Sequence, residues 1–129
     1  MSLNLCNTVF TDYAVFRSPA TQHTVRRSLS KAYGCKPLDV LPAIAEAVKG
    51  KVTILADGGV RSGVDVLKMI GLGADGVLIG RPFVTASFGG GKEGVEMYVN
   101  KIIDELEATM RLTGCATIAD IDERVIFSK

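Results

Sequence analysis

The sequence lacks any apolar run approaching the roughly 20 residues that a membrane-spanning helix needs. Its N-terminus carries Asn4, Asn7 and Asp12 and so lacks the basic start and unbroken apolar segment of a secretion signal. Net charge is also nearly absent, at +1, which gives no reason to expect a nucleic acid or an anionic membrane as a partner. We therefore expect a cytoplasmic location.

Cysteine and histidine are scarce as well. The three cysteines, Cys6, Cys35 and Cys115, are odd in number and lack the paired spacing of a metal site, so they are interpreted as reduced thiols and no metal is expected. His23 is the single histidine. At 129 residues with 47% hydrophobic composition, the chain is long enough for one core and one domain.

The charge is distributed unevenly along the chain, and the hydrophobic pattern changes at the same point. Residues 1–38 carry five basic side chains against one acidic side chain and show no sustained period of 2 or 3.6. We expect an irregular N-terminal arm there, with at most one short strand. From residue 39 onward the pattern becomes regular, so residues 39–129 are predicted to form the folded unit.

That unit is predicted to alternate helices and strands. A helix capped by Asp39 precedes a buried strand over Lys51–Ala56, Ser62 caps a second helix, and Gly76–Gly80 forms the next strand. Strand, helix and strand at this spacing imply a parallel crossover. A turn at residues 89–91 precedes a long amphipathic helix ended by Gly114, and a short helix capped by Thr117 follows, with Ile118 and Ile121 facing inward.

Both predicted strands end in glycine and arginine. Backbone N–H groups of glycine-rich loops and helix N-termini hold phosphate well, and arginine adds directional charge-assisted bonds. Asp57 would repel a phosphate, so it is more suited to accept a hydrogen bond from a cofactor hydroxyl or to orient a neighbouring arginine. In (β/α)8 barrels the loops after strands seven and eight form the common phosphate site, which favours an α/β fold with a partial barrel made of the last two βα units and a C-terminal helix. The candidate phosphate-site residues are Asp57, Gly58, Gly59, Arg61, Gly80 and Arg81.

Two longer strings carry a family resemblance. They run from Ile54 to Lys68, as ILADGGVRSGVDVLK, and from Leu72 to Pro82, as LGADGVLIGRP, and the similarity continues to Cys115. Over about residues 39–126 the chain resembles the C-terminal part of the FMN-dependent 2-hydroxy-acid oxidases and dehydrogenases, the glycolate oxidase and lactate oxidase group. The resemblance implies FMN as cofactor, its phosphate held by the glycines and arginines above with Asp57 near the ribityl chain, and oxidation of a 2-hydroxy acid to a 2-keto acid.

The family chemistry needs a base and a carboxylate clamp, which are a histidine and an arginine in a Ser-Asn-His-Gly-Gly-Arg type motif. Here His23 and Arg26 keep the His-x-x-Arg spacing, but Thr24 and Val25 replace both glycines. They are the candidate catalytic pair. The replacements favour the alternative, in which His23 is an exposed polar residue of the arm.

A complete barrel takes about 250 residues, roughly twice this chain. We therefore expect a part of an oxidoreductase that is incomplete as a catalyst alone, with self-association or a complementary chain covering the open barrel. Two alternatives stay open: a noncatalytic half-barrel that binds FMN or another phosphate, and a structural fragment whose glycines only make turns.

Overall fold

The computed structural model describes residues 15–18, 21–22, 37–48, 51 and 53–126, with backbone only for the first two segments. In chain order these residues form β1 (Val15–Ser18), β2 (Thr21–Gln22), α1 (Pro37–Val48), β3 (Thr53–Asp57), α2 (Gly63–Gly71), β4 (Gly76–Leu78) and α3 (Arg81–Thr113). Two 3-10 turns follow, at Ile118–Asp120 and Glu123–Val125. The described residues contain no helix that is long and apolar enough to span a membrane.

The strands form one mixed sheet in the order β2-β1-β3-β4. The predicted parallel crossover is confirmed, because β3 and β4 pair in parallel with Leu55 opposite Gly76 and Asp57 opposite Leu78. The prediction of a parallel sheet is wrong for β1, which pairs antiparallel with β3 and places Val15 opposite Leu55. β1 and β2 also make two strands where at most one was expected, because residues 15–22 lack the alternation that would have revealed them.

Helix α1 begins at Pro37, two residues before the predicted cap, so Asp39 lies in its first turn. Its apolar face packs against β3 and the end of α2 in a core that holds Leu41, Ile44, Ile54 and Met69. Exposure alternates along β3, with Ile54 and Ala56 buried and Thr53 and Asp57 exposed. The core therefore fixes which way β3 faces and leaves its last residue at the surface.

The start of β4 is bound to β3 by one side chain. Asp75 accepts a hydrogen bond at 2.7 Å from the backbone N–H of Ile54, and its own backbone N–H donates at 2.9 Å to the carbonyl of Ile54. This two-way exchange sets the register of the parallel pair, because it fixes one residue of β3 against the residue that precedes β4.

Helix α3 is longer than predicted. It begins at Arg81, directly after β4, whereas the sequence indicated a turn at residues 89–91 followed by a helix. The turn is present as a kink, since Gly91 has φ 57° and ψ −136° within the helical run. The end is as predicted, with Gly114 in the left-handed conformation as C-cap.

A second, smaller core lies where α3 packs on α2 and on the C-terminal turns. It holds Leu67, Cys115 and Ile121, with Leu106 and Met110 against them. Thr117 caps the first turn as predicted, and Ile121 is 6% exposed, but the inward prediction for Ile118 is wrong because that side chain is 57% exposed. Ile121 lies after the three-residue turn, in extended backbone with φ −78° and ψ 111°, so it does not share a helical face with Ile118.

Candidate functional site

The two glycine-and-arginine segments leave the sheet side by side. β3 and β4 are parallel neighbours, and Asp57, the last residue of β3, lies opposite Leu78, the last residue of β4. The loop at residues 58–61 and the segment at 79–81 therefore start from the same edge of the sheet. The two segments lie side by side because of the register of β3 against β4, and this register could not be predicted from the sequence.

The loop after β3 is shaped by two glycines with positive φ, 118° at Gly58 and 78° at Gly59. Such angles are rare for residues with a side chain, so the sharp exit from the strand requires glycine. Val60 then turns inward and is 4% exposed, which anchors the loop to the core. Asp57, Gly58 and Gly59 stay exposed at the edge.

The end of that loop is held by the capping box of α2. Ser62 caps the helix, as predicted, and the Oδ2 of Asp65 accepts the Ser62 hydroxyl at 2.8 Å and the backbone N–H groups of Arg61 and Ser62 at 3.1 Å each. These two N–H groups are consumed within the loop. The guanidinium is therefore the part of Arg61 that remains available to a ligand.

The same contacts lower the pKa of Asp65. Partial burial of the carboxyl opposes its charged form, but the hydrogen bonds from the Ser62 hydroxyl and from the Arg61 backbone, with the charge of Lys68, outweigh burial and lower the pKa. Asp65 is thus an ionised acceptor that fixes the Arg61 backbone. The Ser62 cap was predicted from the sequence. The acceptor role of Asp65 was not, although the Ser-x-x-Asp spacing is a signal for it.

The segment after β4 presents a helix N-terminus. Gly80 is the N-cap of α3, Arg81 is its first residue, and Pro82 follows. Pro82 has no N–H, and the N–H of Phe83 donates to the Gly80 carbonyl at 3.0 Å. Among the first helical residues, the N–H of Arg81 is the donor this helix end can offer, together with the positive end of the helix dipole.

The glycines and arginines among the six candidate residues have the chemistry to hold a phosphate dianion, whereas the Asp57 carboxylate would repel one and suits a hydroxyl. All are exposed at the shared edge, and among the described residues no ion pair engages the guanidinium of Arg61 or Arg81. Gly80 has φ −103° and ψ −86°, and a Cβ there would meet nothing within 4 Å, so the space beside its α-carbon is open. Without a side chain, this position leaves room for the close approach of a ligand to the backbone.

One contact that the sequence analysis missed joins the two segments. The Tyr98 hydroxyl, on α3, donates to the Arg61 carbonyl at 2.8 Å, and the Tyr98 ring meets the Phe83 ring edge-on with centroids 5.1 Å apart. Tyr98 lies three residues after Val95, on the face predicted to be apolar. A tyrosine on such a face was the available signal, because its hydroxyl needs a partner.

The predicted catalytic pair, His23 and Arg26, lies outside the described residues, so its placement relative to the phosphate site stays a prediction. Among the residues that the structure does describe, no group of three or more His, Cys, Asp or Glu side chains could hold a metal ion. Within the described part of the chain, the candidate site is the glycine-and-arginine edge.

A parallel strand pair whose ends carry arginines, glycines and a helix N-terminus is an α/β arrangement typical of phosphate-binding proteins. The comparisons identify the family. The family model for FMN-dependent dehydrogenase matches residues 27–128, and the chain belongs to this family, whose cofactor is FMN.

Relatives and solved structures agree with this assignment. The chain is 58% identical over 81 residues to an L-lactate dehydrogenase of Pectobacterium atrosepticum, which covers 63% of this chain and 21% of that protein. It resembles a flavocytochrome b2 structure with TM-score 0.68 and 38% identity over 72% of this chain and 25% of that one. A mandelate oxidase structure gives TM-score 0.65 and 38% identity over 67% and 26%. The chain thus spans about a fifth to a quarter of the proteins it matches.

Proposed function

We propose that this chain is the C-terminal, FMN-phosphate-binding part of an oxidoreductase that converts small 2-hydroxy acids of the lactate or glycolate kind to 2-keto acids. The observation that carries the proposal is the shared sheet edge at which Asp57 and Leu78 end neighbouring parallel strands. The family membership supports the cofactor, and the L-lactate dehydrogenase relative supports the substrate class.

Within this proposal, β3 with α2 and β4 with α3 are the last two βα units of a (β/α)8 barrel. Barrels of this kind commonly bind phosphate at the loops after strands seven and eight, on the face where the strands end. The division into an arm over residues 1–38 and a cofactor-binding part over residues 39–129 accompanies this assignment.

The residues divide the work by their chemistry. Gly58, Gly59 and Gly80 let the backbone approach the phosphate, and the guanidinium groups of Arg61 and Arg81 neutralise it through charge-assisted hydrogen bonds. Asp57, exposed at the end of β3, accepts hydrogen bonds from hydroxyls of the ribityl chain. When bound, FMN supplies the two-electron acceptor for the oxidation.

The catalytic base and the arginine that binds the substrate carboxylate match the family motif only in part in this chain. His23 is the candidate base, because histidine titrates near neutral pH, and Arg26 is the candidate clamp. With β-branched Thr24 and Val25 between them, we expect turnover to need groups beyond these residues. Self-association or a complementary chain that covers the open sheet is part of the proposal, and a cytoplasmic location stays a prediction from the sequence.

The test compares flavin binding in matched arginine variants of the chain. Titration of FMN fluorescence is expected to show binding to the wild type and about tenfold to a hundredfold weaker binding to Arg81→Ala, the size expected for charge-assisted hydrogen bonds. Arg81→Lys keeps the charge and should lose less.

Arg111→Ala is the matched control, because Arg111 is an exposed arginine near the far end of α3 that pairs with Glu107 at 2.8 Å. It should bind FMN as the wild type does. Equal affinity in Arg81→Ala and wild type would refute the site assignment. Reduction of bound flavin by lactate, followed by absorbance, then tests the oxidoreductase part separately.

A further inference from the structure

Tyr98 contacts the loop after β3, which is part of the proposed phosphate site, and the first turn of α3, which follows the second part of that site. Its hydroxyl reaches the Arg61 carbonyl across 37 positions of sequence, at 2.8 Å. Its ring meets Phe83, the third residue of α3, with centroids 5.1 Å apart and planes at 86°. This edge-to-face geometry is a favourable arrangement of aromatic rings. One side chain therefore bridges the loop after β3 and the helix start after β4.

The hydrogen bond from Tyr98 is the second of two that hold the Arg61 backbone in place. The N–H of Arg61 is held by the Asp65 carboxylate at 3.1 Å, and its carbonyl is held by Tyr98. With both peptide groups flanking the α-carbon bonded, the direction in which the exposed guanidinium leaves the backbone is set before any ligand arrives. Binding to a preset arginine costs less ordering entropy than binding to a free loop.

Tyr98 is itself held in place on α3. The ammonium of Lys101 lies 5.9 Å from the centre of the Tyr98 ring, a cation–π distance, and Lys101 also pairs with Glu105. Glu105 in turn accepts the backbone N–H of Gly63 at 3.0 Å, at the start of α2. The hydroxyl of Tyr98 thus belongs to a chain of contacts that ends on the same loop-helix junction as the Asp65 cap.

The hydroxyl is not needed to fill a core. Tyr98 is half-buried and belongs to neither hydrophobic cluster, and a phenylalanine at this position would keep the ring contact with Phe83. We infer that Tyr98 is a positioning residue, whose hydroxyl holds the Arg61 backbone against the start of α3 and thereby raises the affinity of the edge for the phosphate of FMN. The last part of this inference rests on the proposed function.

The test uses Tyr98→Phe and a readout at Arg61 that needs no flavin. Trypsin cuts the bond formed by the Arg61 carbonyl, so release of that carbonyl should speed cleavage between Arg61 and Ser62 about threefold to tenfold, the effect of one lost hydrogen bond. Mass spectrometry of the fragment that begins at Ser62 measures the rate. Thr113→Val, which deletes a hydroxyl bonded to the Thr109 carbonyl at the far end of α3, is the control and should leave the rate unchanged.

FMN affinity is measured on the same variants. Tyr98→Phe should bind FMN about threefold to tenfold more weakly while its melting temperature stays within a few degrees of wild type. Unchanged cleavage at Arg61 would overturn the positioning role, whatever the flavin result. Faster cleavage with unchanged FMN affinity, while Arg81→Ala still loses affinity, would overturn the link to the phosphate and leave the proposed function standing. A wild type that does not bind FMN would overturn both the proposed function and that link, and the cleavage rates would still decide the positioning role.

Discussion

At the scale of single residues, the two strand ends use glycine for different reasons. Gly59 has φ 78°, so the backbone of the chain itself requires glycine there. Gly80 has an ordinary negative φ and open space around its α-carbon. The first glycine shapes the loop, and the second keeps a surface clear. Substitutions at the two positions should therefore separate folding from binding.

We expect Gly80→Ser to leave folding stability nearly unchanged and to weaken FMN binding. Serine is a good N-cap residue, so α3 should begin as well as before, but its side chain would occupy the space that we assign to the phosphate. Gly59→Ser should instead lower the free energy of unfolding by about 1 kcal/mol or more because of its positive φ. Urea unfolding and FMN titration on both variants measure the difference. Wild-type FMN affinity in Gly80→Ser would contradict the placement of the phosphate beside Gly80.

The sequence was informative about residues whose role is local. Asp57, Gly58 and Gly59 could be singled out because glycines after an apolar run mark a strand end, and the observed angles agree. Tyr98 could not be assigned a partner, because its hydrogen bond spans a distance in sequence that no periodicity reports.

At the scale of elements, α2 is the one that connects the site to the fold. Its first turn carries the capping box that also binds the Arg61 backbone, and its N-terminal Gly63 is bonded to Glu105 of α3. Loosening the first turn of α2 should therefore affect both stability and the loop before it.

We expect Asp65→Asn to lower the free energy of unfolding at neutral pH by roughly 1 kcal/mol, the usual value of a helix cap. The pKa of Asp65 is lowered in the folded chain from its ordinary 3.8, so its contribution is present above that value and is lost as the pH falls through the lower folded pKa. The gap between wild type and Asp65→Asn should thus narrow from pH 6 to pH 2, as measured by urea unfolding.

The control for this experiment is Asp104→Asn. Asp104 is exposed on α3 and accepts none of the hydrogen bonds found among the described residues. It should change stability little at any pH, and a difference between wild type and Asp65→Asn that is the same at both pH values would show that the charge of Asp65 is not what stabilises the turn.

Periodicity predicted the middle of the chain well and its flanks poorly. β3, α2 and β4 carry strong apolar patterns with glycine or serine boundaries, and each was confirmed within a few residues. The first turns of α3 were missed because the run of three glycines that follows them predicts a break in a helix. β1 and β2 have too few residues for a period to be measured.

At the scale of the whole molecule, the described surface carries large apolar side chains. Phe88 is 90% exposed, and Val84 and Met97 are more than half exposed. Burial of large apolar side chains against another surface is favourable. The feature fits the proposal that another chain, or a second copy, covers part of this molecule.

We expect the chain to self-associate with increasing concentration and Phe88→Glu to reduce that association. A charge placed at the most exposed of these apolar side chains opposes its burial in an interface. Ser87→Glu adds the same charge at the neighbouring exposed position and is the control. Sedimentation at several concentrations checks both. Association that is unchanged in Phe88→Glu would exclude this residue from the interface.

The antiparallel placement of β1 has a consequence for assembly. β1 takes up the hydrogen-bonding edge of β3 that faces away from β4, and a strand has only two such edges. A complementary chain that adds a parallel strand next to β3 would have to displace β1 first, whereas β4 has no second neighbour within the described part of the sheet. Another polypeptide would therefore have to compete with β1 for the edge of β3, but could add directly to the free edge of β4. Exchange of the amide hydrogens of residues 15–18 would report which of the two edges is used.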